Sequence, residues 1–319
     1  MLMLRLWMIA PLLIGALATT PARSDDASGT AATATATHQA PHKHVRKKAQ
    51  KTPHQEDMPS RIPVIPPVVT TYDVYVGGIH LLQANILFQE EGNHYRAHVT
   101  GGTYGFWHRM FPWDTDLRVA GRLSDDKLLP AQFDTHDTWR SKTKATHLQF
   151  MPDGDIIPTF EPPSHDENRE QVTKTQRAGA LDPISGLLQL LAHTAIDGNC
   201  SVTVPIFDGK RLFTITGTDK GNDDIDSEDY GIYSGRARLC DTSFTMVAGD
   251  WVDPDNHEKS RFWQKNDHEN GREPFHVWLA SITPTLPAMP VRLESGSVWG
   301  LIVMHLSGWR VATDADLQY

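Results

Sequence analysis

The chain has 319 residues, with 30 Lys and Arg against 39 Asp and Glu, and 39% of it is hydrophobic, enough apolar content for a real core. Seven of the bases and four of the acids fall in residues 1–57, so residues 58–319 carry a net charge of −12. A body this acidic excludes a nucleic-acid groove, which needs a basic surface to displace counterions from phosphate.

Residues 1–22 read as a secretory signal. Arg5 supplies the positive start, and Leu6 to Ala18 is an uncharged, mostly apolar run of thirteen residues. That run is too short to span a bilayer. Ala16-Leu17-Ala18 and Thr20-Pro21-Ala22 are both small-x-small cleavage candidates, and an uncleaved N-terminal anchor is the alternative. No Cys follows the apolar run, which argues against a lipid-anchored N-terminus.

Residues 23–58 are rich in Thr, Ala, His, Lys and Pro and show no apolar face. Such a segment cannot bury enough surface to order itself, so it reads as a disordered linker. His38, His42, His44 and His54 suit either a solvated tether or contact with a metal or an anionic surface.

Residues 59–312 read as a single β-rich domain. Tyr72, Val74 and Val76 alternate with Asp73 and Tyr75, the pattern of a half-buried strand. Gly77-Gly78 then turns the chain, residues 79–89 return, and Glu91-Gly92-Asn93 starts a third strand. Connections this short make neighbouring strands antiparallel. Gly101 to Trp113 is aromatic and glycine-rich, a short helix or loop at the mouth of the sheet. Strands follow at 114–123, 128–135 and 144–150, with 156–177 as an exposed excursion.

Asp182-Pro183-Ile184-Ser185 opens the clearest helix. Asp182 can accept from the free amides of the first turn, and Pro183 needs no amide hydrogen at the first helical position. Ile184, Leu187, Leu188 and Leu191 form an apolar stripe at helical spacing. Gly198 or Asn199 ends it. Strands resume at 200–207, 210–216, 232–240, 275–279, 291–294 and 299–306. Asp219 to Asp229 reads as an acidic loop and Asp253 to Gly271 as a polar one. The expected fold is mainly β: a strongly curved antiparallel sheet or open barrel packed on one central helix.

Cys200 and Cys240 are the two cysteines of the chain. In an exported protein an isolated pair forms a disulfide, and without Cys-x-x-Cys spacing it does not make a zinc site.

Four landmarks stand in a telling order. They are Tyr72-x-Val74-Tyr75-x-Gly77-Gly78, Asp182-Pro183-x-Ser185-x-Leu187-Leu188, Phe207-Asp208-Gly209-Lys210-Arg211 and Tyr233-x-Gly235-x-Ala237-x-x-Cys240. Each alone is weak. Together they resemble family 3108 of the domains of unknown function, across residues 71–306. The resemblance implies a β-rich bacterial envelope protein of the periplasm and carries no catalytic residues to transfer. The linker and the polar 253–271 stretch depart from that pattern. A looser architectural similarity is to LolA/LolB-type lipoprotein carriers, in which a curved sheet surrounds a helix and an apolar cavity. That likeness concerns the fold alone.

Trp107, Arg109, Phe111 and Trp113, with His108, form the densest aromatic cluster. Aromatics beside a cation suit an acyl chain with its headgroup, or a glycan. The same residues could equally plug one end of the sheet. Asp208-Gly209-Lys210-Arg211 reads as a hairpin turn with solvated cations. His257, Glu258, His268 and Glu269 have ligand chemistry but no His-Glu-x-x-His spacing. The acids at 223, 224, 226, 228 and 229 lack the Gly and terminal Glu of a calcium loop. There is no Gly-x-Ser-x-Gly elbow for Ser185, and His193 has no nameable partner. The expectation is therefore no catalytic residue, no metal and no cofactor. The leading reading is a soluble periplasmic protein that binds an apolar or amphipathic ligand, such as a lipid or lipoprotein, in the concavity of its sheet. A hydrolase of envelope glycan or lipid is one alternative. The other is a scaffold whose basic linker docks on an envelope protein, wall polymer or anionic lipid.

Overall fold

Alternating apolar and polar residues, punctuated by glycine turns, set most of the strands. The computed structural model describes residues 66–163, 169–226, 230–250, 274–297 and 299–318. The signal, the linker and His257, Glu258, His268 and Glu269 lie outside the described residues.

The first half runs β1 (Val68–Val76), β2 (Ile79–Glu91), β3 (His94–Thr103), α1 (Phe106–Met110), β4 (Trp113–Ser124), β5 (Lys127–Trp139), β6 (Lys142–Phe150) and β7 (Ile156–Glu161). Then come α2 (Lys174–Arg177) and α3 (Pro183–Asp197). The second half is β8 (Thr203–Phe207), β9 (Leu212–Ile225), β10 (Gly235–Ala248), β11 (Phe275–Ala280), β12 (Met289–Ser297) and β13 (Gly300–Val311). All thirteen described strands join one antiparallel sheet in the order β7-β6-β5-β4-β3-β2-β1-β13-β12-β11-β10-β9-β8. Every neighbour is a sequence neighbour except β1 and β13, which pair from Val68 with Val311 to Val76 with Ile302.

The sheet is not closed, because its outermost strands β7 and β8 do not pair. Both carry a proline, Pro158 and Pro205, which suits a position with a free edge. The sheet nevertheless curls back on itself. Phe207 and Leu212 from one end of the strand order share a core with Phe133, Leu148 and Ile156 from the other. The open curl matches the expected fold class. Two expected loops are strands: residues 156–161 form β7, and Asp219 to Ile225 belong to β9. Arg238 makes the second possible, since its Nη1 reaches Asp219 Oδ2 at 2.6 Å.

α3 bridges the open seam. Leu181, the residue before the Asp182 cap, bonds β8 through Pro205 O and the Phe207 amide, which covers that edge of the sheet. Asp182 caps α3 as expected: its Oδ1 accepts from the Ile184 and Ser185 amides at 3.0 and 2.8 Å. Gly198 closes the helix in the left-handed conformation. The predicted stripe is only part of the buried face. Leu187 is 38% exposed, while Ser185, Gly186, Leu190 and Ala192 are buried. The reason is that α3 packs on two sides at once. Ile184, Leu188 and Ala192 meet the core of β3–β6, and Leu190 and Leu191 meet that of β8–β10. The second core also holds the Cys200–Cys240 disulfide.

The turn at Asp208 latches the seam. Its carboxylate accepts from the Lys210 and Arg211 amides and from Arg211 Nε. A β-carbon on Gly209 would come 2.9 Å from Thr146 on β6, so the turn presses on the far end of the sheet. Lys210 lies over the Phe160 ring of β7, 5.0 Å from its centroid. The turn was expected; its two cations are not simply solvated, because the curl brings β6 and β7 beneath them.

Asp182 is fully buried, and its Oδ2 has no partner among the described residues. Loss of water pushes its carboxyl up to about 6, against the opposing pull of Ser185 and the two amide donors. The unfolded value is about 3.9, so between the two the folded state holds a proton that the unfolded state releases. Stability from this group is therefore complete below pH 4 and falls as pH rises through 6, by about 3 kcal/mol. Asp182→Asn keeps the cap acceptor without the charge. Urea unfolding should show the variant gaining about 3 kcal/mol on the natural protein between pH 3 and pH 7. An equal difference at both pH values would refute this account.

Candidate functional site

Several turns meet at one end of the sheet. Register brings Val76 opposite both Ile79 and Ile302. The Gly77 amide donates to Leu301 O, joining the β1–β2 turn to the β12–β13 turn. The Tyr104 amide donates to Leu81 O, and the Arg140 amide to Pro112 O, which adds the β3–β4 and β5–β6 connections. Thr103 holds α1 in place: its hydroxyl contacts Phe111 O, His108 Nδ1 and the Trp113 amide.

This rim is apolar and open to water. Ile79, Tyr104, Met110, Trp299 and Leu301 are exposed, and Phe106 is 65% exposed. Beneath it Val74, Leu82, Trp113 and Ile302 form a buried cluster flanked by Leu81 and Trp139. The four predicted ligand residues divide here. Trp107 and Phe111 are half-buried with their rings 6.4 Å apart, and Arg109 is exposed. Trp113 is buried in the underlying cluster, and its indole nitrogen has no partner among the described residues. Sequence reasoning missed Phe106, Met110, Ile79, Trp299 and Leu301. Phe106 and Met110 were visible inside the aromatic run. Ile79, Trp299 and Leu301 sit beside glycine turns far apart in the chain, and no local signal joins them.

A second cluster starts from the same rim. Tyr104 stacks on His80 at 4.0 Å, His80 on Tyr75 at 4.8 Å, and Tyr230 tilts against Tyr75 at 4.8 Å. Asp73 accepts from Gln83 at 2.9 Å and lies 3.3 Å from His80 Nε2. Partial burial and the neighbouring Asp73 push the Tyr75 phenol up. Among the described residues no group of three His, Cys, Asp or Glu could hold a metal ion. Ser185 lies 2.7 Å from the Tyr95 hydroxyl and beside Asp182, but both Ser185 and Asp182 are 0% exposed. His193 pairs with Asp197 on its own helix at 2.9 Å.

The family described as Protein of unknown function (DUF3108) matches residues 71–307. The chain belongs to this family. Comparison with curated proteins finds no match. Among solved structures, it is similar to a beta-barrel-like protein of domain of unknown function DUF1849 from Brucella abortus. That similarity has a TM-score of 0.41 and 10% identity, over 78% of this chain and 99% of the other. In this DUF3108 chain the four sequence landmarks fall on structural joints. The first is β1 with its turn at the rim. The second is the cap of α3, and the third is the seam turn at Asp208. The fourth leads along β10 to the disulfide.

Proposed function

We propose that this is an exported, non-enzymatic envelope protein that engages an apolar or amphipathic ligand at the rim of its curved sheet. The carrying observation is the set of large apolar side chains, Ile79, Phe106, Met110, Trp299 and Leu301, exposed together by adjoining turns. Leaving each in water forgoes about 1.5–3 kcal/mol of burial, and monomers rarely leave such patches without a use for them. Trp113 below the rim adds an N–H without a partner among the described residues to an otherwise apolar wall. Few polar groups in apolar surroundings are what an amphipathic ligand requires. The reading places the ligand at the rim, where the sequence expectation had it in the concavity of the sheet with its aromatic contacts at the mouth.

Native mass spectrometry with lipid extraction, on protein recovered from the exported fraction, tests this. A co-purifying amphiphile is expected on the natural protein and not on the F106D/M110D/W299D variant, with unchanged thermal unfolding. N-terminal sequencing should find the chain cut after residue 18 or 22. An empty protein that also ignores added single-chain amphiphile would sink the ligand reading, and retention in the cytoplasm would sink the export reading.

A further inference from the structure

The rim extends from β12 through β13, β1, β2, β3, β4 and β5 to β6. Eight strands at about 4.8 Å spacing make roughly 34 Å of edge, measured along the curl. An edge shared by so many strands suits a broad partner better than a single slot. Its charge also runs against the rest of the chain. Arg109, Arg140 and Lys142 are exposed at this end, Arg109 on α1 with Phe106 and Met110, and Arg140 and Lys142 at the β5–β6 turn. The acids near them are Asp114, which is exposed, Glu161 one strand further, and Asp137, which is half-buried and accepts from Thr115 at 2.6 Å. Among the exposed charged groups just named the bases outnumber the acids, so an acidic chain presents a Trp-bearing apolar edge with exposed cations beside it. Aromatic and aliphatic side chains that sink into the headgroup boundary, with Arg and Lys beside them, are the chemistry of interfacial attachment to anionic lipid.

Resting on the rim reading above, we infer that the partner of the rim is the surface of an anionic lipid bilayer. Phe106, Met110, Trp299, Ile79 and Leu301 enter the boundary region. Arg109, Arg140 and Lys142 meet the headgroups.

Co-sedimentation of the purified protein with vesicles tests this, using phosphatidylcholine alone and phosphatidylcholine mixed with phosphatidylglycerol. Binding to the mixed vesicles should be about tenfold tighter or more, and should weaken with salt. R109E/R140E/K142E should erase the difference between the two lipids. F106S/M110S/W299S should weaken binding to both. Deleting residues 38–54, the other cationic segment, should leave the rim-dependent binding in place. Matching thermal melts confirm that the variants fold. Binding that disappears with residues 38–54 and ignores both rim variants overturns the inference. So does an absence of vesicle binding. Tryptophan fluorescence with monomeric lysophosphatidylcholine then separates the two levels. Rim-dependent uptake of that amphiphile leaves the ligand reading standing and removes only the bilayer; no uptake removes both.

Discussion

Replacing the disulfide, as C200A/C240A, is expected to lower stability by about 4 kcal/mol, from the loop-closure entropy of a 40-residue loop. The bridge joins the segment between α3 and β8 to the middle of β10. Without it, the unfolded chain regains the freedom of that loop, while the folded state keeps most of its contacts. Alanine is the better replacement, since both positions are 0% exposed among Leu190, Val204, Ile215 and Leu279. Serine would add two buried hydroxyls without partners. Urea unfolding of the two proteins at one pH measures the difference. A loss below about 1 kcal/mol would mean that the cross-link hardly restricts the unfolded chain.

Gly249→Ala should cost as much, about 3–5 kcal/mol. Gly249 follows β10 with φ +86°, and a β-carbon there would meet Lys210 O at 2.2 Å and Arg211 Cα at 2.9 Å. Both obstacles are backbone, so neither can rotate away. Relief requires moving the Asp208 turn, and that turn is pressed on β6 and β7. The Gly249 carbonyl also accepts from Arg169 Nη1 at 2.6 Å, tying the approach to α2 onto the end of β10. Gly154→Ala is the control. It has φ +84° and nothing within 4 Å of the added atom, so it reports the left-handed penalty alone, about 1–2 kcal/mol. Equal losses at the two sites would show that the seam yields easily. The larger loss at Gly249 measures how firmly the two ends of the curl are held.

Much of the fold was legible because its signals are local. Gly77-Gly78 and Asp208-Gly209 mark turns by backbone conformation, and Asp182 and Gly198 bound α3 by hydrogen-bond chemistry available within one turn of helix. The errors came where a distant partner overrides local polarity. Asp219 to Ile225 looks like a solvated loop until Arg238 and Trp278 supply counterparts, the latter donating to Asp223 at 2.8 Å. Helical spacing marks one apolar face, whereas α3 serves two cores, so the stripe covers only part of its buried surface. Pro158 and Pro205 mark edge strands by chemistry that is local to the chain.

The candidate site was half legible. Trp107, Arg109, Phe111 and Trp113 announce themselves by composition, but composition cannot say which face a ring will take. The register of β4 against β5 buries Trp113, while its neighbours on α1 stay at the surface.

By itself the sequence determined most of the strands, their antiparallel hairpins, the capped helix and the cysteine pair. Each depends on residues within a few positions of one another, or on there being no other candidate. The tertiary structure decided that β1 pairs with β13, that the sheet curls without closing, and that α3 and the Asp208 turn hold the seam. It also decided that turns more than 200 residues apart would make one apolar rim. Those outcomes follow from which surfaces remain to be buried once the local elements exist. That balance is summed over the whole sheet and is not written in any one segment of the chain.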